Sequence, residues 1–213
     1  MCDEDYRHLI QDLKVDYTMI TNKNSDPMQV SMRKVEIFAF PDINKFDKVI
    51  YLDSDIIITG DLNVIFDDIV ERDKLYVFEE SDDYREHNFK YFGLQNYTPD
   101  EIKSFSDRRI KVFNCGQFGF KVSEEMHAHF YNILYFMKNY KGEFYYEQSF
   151  MNYYFNKLNA RKAIFNNYTN LGNRGDKVHE LTRIIHYADA AMSHKTKLYK
   201  MNQDYNTVVR NCN

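Results

Sequence analysis

The chain has 213 residues with a formal net charge of −4, long enough for one domain with a substantial core and without a basic field to hold nucleic acid. It shows no apolar run of membrane-spanning length and no opening signal peptide, so a cytoplasmic protein is expected; Cys2, Cys115 and Cys212 lack any paired spacing, as reduced thiols would. Its 18 Tyr and 17 Phe, with no Trp and few Gly or Pro, suit a compact fold, and the richness in Asn, Lys and Tyr is that of an AT-rich genome, such as a large DNA virus (hence host cytoplasm) or a parasite.

Residues 3–13 place Leu9, Ile10 and Leu13 on one helical face. Val15 to Ile20 reads as a strand and Thr21 to Asp26 as a polar loop. Pro27 suits the first turn of a helix that runs to about Phe40, with Val30, Val35, Ile37 and Phe38 facing inward. Two short apolar runs follow, Val49 to Leu52 and Ile56 to Ile58, on either side of Asp53-Ser54-Asp55. Runs this short, rich in β-branched and aromatic residues, predict buried strands. The β-α-β alternation predicts an α/β fold with a mostly parallel central sheet flanked by helices.

Ile65 to Val70 reads as a short helix and Leu75 to Phe78 as a strand. Glu79 to Arg109 has little periodicity, which marks a functional or mobile segment. Lys111 to Lys121 resumes a strand pattern, interrupted at Asn114-Cys115-Gly116. Ser123 caps a helix reaching Met137, with Glu124 and Glu125 at its positive end, and a second helix covers Tyr146 to Leu158. Ile164-Phe165 and Ile184-Ile185 read as late strands joined by a polar connection around Arg174 and Gly175. Lys195 to Asn213 is polar and lacks a stop signal, as in a domain excised from a longer polypeptide and fused to others.

Asp53 and Asp55 fall where one hydrophobic strand ends, with no basic residue beside them. Burying unpaired carboxylates costs several kcal/mol, so a cation belongs there; ligands of open α/β sheets gather at that end of the strands. Hard ions such as Mg²⁺ and Mn²⁺ take such oxygens together with phosphate oxygens. The alternative is a surface turn, which Asp and Ser also form.

Tyr51-Leu52-Asp53-Ser54-Asp55-Ile56, followed by Gly60-Asp61-Leu62, resembles the D-x-D segment of the family 8 glycosyltransferases, and Met32 to Phe38 resembles the helix before it. The resemblance implies a single GT-A (Rossmann-like) domain over residues 1–213 that moves a sugar from a UDP-sugar, with retention, to a glycan or glycoprotein acceptor. It implies Mn²⁺, or Mg²⁺, held by Asp53, Asp55 and the His186 of Ile184-Ile185-His186; without the resemblance, a lone His after a strand is an ordinary structural residue. The family's glycine and phosphate-binding lysine after that His are not matched, since Asp189 and Met192 stand near those places. Lys195 and Lys197 are the substitutes, or else part of a solvated basic face.

Phe113-Asn114-Cys115-Gly116 resembles the family's F-N-S-G, which assigns Asn114 to the donor sugar and Gly116 to close backbone approach; Asn-x-Gly is also a ready turn or bulge. Cys115 reads as a small buried residue. Glu147-Gln148-Ser149, with Asn152, resembles D-Q-x-x-L-N, so Glu147 and Gln148 are catalytic candidates at the sugar; an acid at a helix start also needs no function. Donor-binding candidates are Thr21, Asn22 and Arg33 for the nucleotide, with Asp53, Ser54 and Gly116 nearer the sugar and phosphates. Glu79 to Arg109 is expected to read the acceptor. Two rivals stand beside this reading: a non-catalytic nucleotide-sugar or glycan-binding module, and a Mg²⁺-dependent nucleotidyltransferase, which would normally bring a Gly-rich phosphate loop that the chain lacks.

Overall fold

A computed structural model describes residues 27–83, 97–139, 146–172, 179–188 and 192–211. The predicted helix at 3–13, the strand Val15 to Ile20, Thr21 and Asn22, and the connection at Arg174 and Gly175 lie outside the described residues.

Helix α1 (Pro27–Val35) opens on Pro27, whose missing N–H costs nothing at a helix start. After Val35 it tightens into a 3₁₀ turn, Glu36–Ala39, closed by the Phe40 amide on the Ile37 carbonyl. Val35 is buried, and Ile37 and Phe38 pack on the same core. Val30, expected inward, is 50% exposed. Five residues turn a helix by about 140° beyond a full turn, so Val30 and Val35 cannot share a face.

Strand β1 (Lys48–Leu52) leads to the D-x-D turn, and β2 (Ile56–Ile58) leads away from it. Helix α2 (Asn63–Asp68) precedes β3 (Leu75–Asp83). Helix α3 (Pro99–Asp107) lies within the segment expected to lack pattern, and Thr98 with Glu101 forms a complete capping box at its start. Strand β4 (Lys111–Lys121) is followed by α4 (Glu124–Asn139) and α5 (Tyr146–Lys157). Ser123 Oγ accepts from the Met126 amide at 3.0 Å, the cap that the sequence predicts. The short strands β5 (Arg161–Lys162), β6 (Thr169–Leu171) and β7 (Ile184–His186) come next.

Two sheets result, with orders β1-β4-β3-β5 and β2-β7-β6. The mostly parallel sheet expected from the sequence is corrected to a mixed one. β4 is antiparallel to both β1 and β3, and β2 to β7, whereas β3 with β5 and β6 with β7 are parallel. Since β1 and β3 both oppose β4, they run in the same direction, as the β-α-β alternation implies. β4 lies between them, and no local pattern announces that insertion.

The irregularity expected at Asn114 to Gly116 is present: Val77 pairs with Phe118 but Phe78 with Asn114, so Cys115, Gly116 and Gln117 bulge from β4, and a second shift after Glu79 leaves the extra residues on β3. Ile164-Phe165 is not a strand; Phe165–Asn167 forms a 3₁₀ turn. There the Asn166 side chain takes the place of a ladder, accepting from the Glu79 amide and donating to its carbonyl, each at 2.8 Å. The polar C-terminal stretch is helix α6 (His194–Asn211).

The larger core is aromatic. Phe113, Phe118, Phe120, Phe130, Phe150 and Phe155 are all buried with Met126, Ile133 and Val35, each large side chain contributing about 1.5–3 kcal/mol. A column of rings runs through it: Phe130 to Phe120 at 5.2 Å, Phe120 to Phe118 at 6.3 Å, and Phe118 to Tyr51 at 4.8 Å with planes 10° apart. Tyr51 brings that column to the D-x-D turn. No helix among the described residues is long and apolar enough to cross a membrane.

Candidate functional site

The Asp53 to Asp55 turn joins the two sheets and is tied to both. The Asp53 amide donates to the Gly116 carbonyl on β4 at 2.7 Å, and the Tyr187 amide, just past β7, donates to the Asp55 carbonyl at 3.0 Å. These bonds place one ligand atom each from Asp53, Asp55 and His186 within 4.8 Å of one another. His186 is buried and Ser54, between the two carboxylates, is exposed.

Each carboxylate has a lysine that its sequence neighbourhood lacks. Lys34 on α1 approaches Asp53 to 3.2 Å and Glu147 to 2.6 Å, with its ammonium 5.3 Å from the Tyr51 ring centre. Burial alone would depress the Lys34 ammonium, but the Glu147 and Asp53 charges outweigh it and hold it well above the ordinary lysine range. Tyr51 donates to Asp53 Oδ1 at 2.7 Å, leaving Oδ2 to face the cluster. Burial pushes the phenol up, and the nearby Lys34 charge only partly opposes it.

Lys197 on α6 donates to Asp55 Oδ2 at 2.7 Å. Asp55 Oδ1 is a buried acceptor without a hydrogen bond, 3.4 Å from His186 Nε2. Burial raises the Asp55 carboxyl, yet the facing His186 and Lys197 outweigh it and hold it well below the ordinary range. Helix α6 is latched nearby: Tyr187 donates to Asp204 at 2.5 Å, and Met201 packs on Ile57, Ile185 and Tyr187.

The loop side of β4 closes the cluster. Asn114 Oδ1 accepts from the Gly116 amide at 2.7 Å, while Asn114 Nδ2 donates to Glu80 at 3.1 Å. A Cβ at Gly116 would stand 2.5 Å from His186 Cε1 and 2.8 Å from both Asn114 Oδ1 and Asp53 Oδ2. Cys115 is buried, and burial pushes its thiol up, as befits an inert packing residue. Gln148 Oε1 accepts from the Cys115 amide at 3.3 Å. Asn152 clamps α5 to β4, accepting from the Phe113 amide at 3.0 Å and donating to the Phe113 carbonyl at 2.9 Å.

Sequence-predicted residues Asp53, Asp55, His186, Asn114, Gly116, Glu147, Gln148 and Lys197 therefore meet at one end of the sheets. Arg33 instead pairs with Glu36, three residues on. Lys195 is exposed in the first turn of α6. Thr21 and Asn22 lie outside the described residues. Lys34, Tyr51, Glu80 and Gln117 were missed; only Lys34 had a signal, since two carboxylates without neighbours demand a cation from elsewhere.

Two carboxylates and an imidazole make a donor set for Mn²⁺ or Mg²⁺. The orphaned Asp55 Oδ1 supplies an acceptor with nothing to accept, and Gly116 leaves clear the space that a Cβ would fill. The residues fit a divalent ion.

No curated protein matches the chain. Among solved structures, the galactosyltransferase LgtC in complex with donor and acceptor sugar analogues is 14% identical, with a TM-score of 0.53 over 84% of this chain and 66% of that one. The WbbM bifunctional glycosyltransferase, in its apo form, is 16% identical, with a TM-score of 0.50 over 75% of this chain and 31% of that one. The chain thus spans about a third of one neighbour and two thirds of the other. At such identities the likeness shows the fold alone, which is GT-A, α/β with a mixed sheet. The profile described as "Glycosyl transferase family 8" matches residues 4–205, which takes in the D-x-D turn, β4, α5 and His186. With nearly the whole length matched and the fold agreeing, this chain belongs to glycosyl transferase family 8.

Proposed function

We propose that the protein transfers a sugar from a UDP-sugar to a hydroxyl of a glycan or glycoprotein, with a divalent ion and with retention at the anomeric carbon. The carrying observation is the convergence of Asp53, Asp55 and His186 within 4.8 Å around an acceptor that lacks a hydrogen bond. Asp53, Asp55 and His186 would hold Mn²⁺, or Mg²⁺. When bound, such an ion stabilises the charge that grows on the departing diphosphate.

The chain's own residues supply the rest. Lys197 brings a second positive charge to the diphosphate side. Glu147 is committed to Lys34, so it serves as an acceptor for sugar hydroxyls rather than as a free nucleophile. That pairing favours front-side departure, with the acceptor hydroxyl attacking the face the diphosphate leaves. Asn114, fixed by the Gly116 amide and Glu80, presents its amide toward the sugar. Glu80 lies at the start of the Glu79 to Arg109 segment proposed to read the acceptor.

The test is release of nucleoside diphosphate from a panel of nucleotide sugars, with Mn²⁺ and with EDTA. One UDP-sugar should be turned over only with the metal. Undiminished release in EDTA would end the metal proposal. Metal-dependent binding of a UDP-sugar without turnover, even with a panel of acceptors, would favour the binding-module alternative. Tyr51→Phe should weaken Mn²⁺ binding by roughly tenfold, because a hydrogen bond to a ligating carboxylate typically matters that much. Titration followed by the electron paramagnetic resonance of free Mn²⁺ checks this.

A further inference from the structure

Gln117 is 0% exposed on β4, immediately after Gly116 and amid Cys115, Phe118 and Phe120. An amide sealed into an apolar strand is costly unless both ends are bonded. Here they are. Oε1 accepts from Thr169 Oγ1 on β6 at 2.8 Å, and Nε2 lies 3.5 Å from His186 Nδ1 on β7.

We propose that Gln117 is a positioning residue for the cation site: its amide decides which nitrogen of His186 carries the proton, and hence whether Nε2 can act as a ligand. This rests on the metal reading given above. A neutral imidazole has one N–H. With the amide NH₂ facing Nδ1, that nitrogen accepts, and the proton sits on Nε2, 3.4 Å from Asp55 Oδ1 with no hydrogen bond between them. A cation on Nε2 needs that lone pair, so the proton must move to Nδ1 and find an acceptor.

A half-turn of the Gln117 amide provides the acceptor. Oε1 then accepts from Nδ1–H, and the NH₂ donates to Thr169 Oγ1, a hydroxyl able to accept as well as donate. Oxygen and NH₂ are nearly equal in size, so no packed neighbour has to move. Gln117 thus satisfies either tautomer of a buried histidine, which neither a hydrocarbon nor a carboxylate would do.

The experiment uses the full chain with ¹⁵N-labelled histidine. The His186 tautomer is read by long-range ¹H–¹⁵N correlation, without metal and with Mg²⁺; Mn²⁺ affinity is read by paramagnetic resonance. Wild type should shift from Nε2–H to Nδ1–H on adding Mg²⁺. Gln117→Met, of similar volume, should lose about 10–100-fold in Mn²⁺ affinity. Gln117→Glu, an acceptor only, should show Nδ1–H before any metal is added and keep wild-type affinity or better. Equal losses in the two variants would mean a packing role only, and a tautomer indifferent to residue 117 would overturn the proposal outright. If Gln117→Met does not fold, the metal-free tautomer of Gln117→Glu decides. Wild type that binds neither Mg²⁺ nor Mn²⁺ sinks the metal reading instead, while the metal-free tautomers still judge Gln117.

Discussion

Gly116→Ala should reduce sugar transfer by at least about a hundredfold while the protein stays folded. The added methyl would sit 2.5 Å from His186 Cε1 and 2.8 Å from Asp53 Oδ2 and Asn114 Oδ1, and real Cβ atoms do not come that close. None of the three can yield freely. His186 is buried against Gln117, Asp53 is held by Tyr51 and Lys34, and Asn114 is bonded to the amide of residue 116 itself. Relief therefore comes by spreading the ligands, and displacement of reacting groups by about 1 Å can cost 10²-fold. Thermal unfolding and Mn²⁺ titration separate the effects: a near-native Tm with metal affinity lost is expected. Wild-type affinity in this variant would show that the ion does not bind between these groups.

Lys34→Ala should both abolish transfer and destabilise the fold by about 3 kcal/mol, the lower end of the range for breaking a buried ion pair. The lower end applies because Lys34 and Glu147 retain 15% and 11% of their side-chain exposure. At roughly 2–4 °C per kcal/mol for a chain of this size, Tm falls by about 6–12 °C. Glu147→Gln added to Lys34→Ala should recover most of that Tm and none of the activity, since the orphaned charge goes while the sugar contacts stay lost. The ammonium's raised pKa fixes the sign of the pH dependence: its stabilisation is complete below the ordinary lysine range and is lost only as pH rises through the folded value. The gap between wild type and variant should hence stay constant through neutral pH. A single variant that melts with wild type would remove Lys34 as Glu147's counter-ion.

What the sequence made legible was local. The D-x-D turn, Asn114-x-Gly116, the Glu147-Gln148 helix start and His186 are short strings whose residue types restrict their chemistry, and they converge. Pairings across long separations were not legible: Lys34 meets Glu147, and Lys197 meets Asp55, 142 residues away. The direction of β4 between β1 and β3 depends on packing rather than on any pattern in β4. Gln117 sits inside an apolar run and so looks like noise in it. The Thr98-Pro99-Asp100-Glu101 start of α3 was readable and passed over, because the segment around it lacks periodicity. Helix α6 was hidden for another reason. It docks through Lys197, Met201 and Asp204 and leaves Leu198, Tyr199 and Tyr205 exposed, and so narrow a stripe barely marks a sequence.

The column of rings from Phe130 to Tyr51 bears on how this protein could be re-engineered. Tyr51 both stacks on Phe118 and holds Asp53, so the position of one carboxylate is inherited from the middle of the hydrophobic interior. A close-packed interior hands on displacement instead of absorbing it. Shaving or enlarging Phe118 or Phe120, neither of which touches the cluster, alters the seat of Tyr51 before it unfolds anything. Libraries meant to change the sugar or the acceptor are therefore best confined to the outward residues at the ends of β3 and α5, with the ring column treated as part of the instrument.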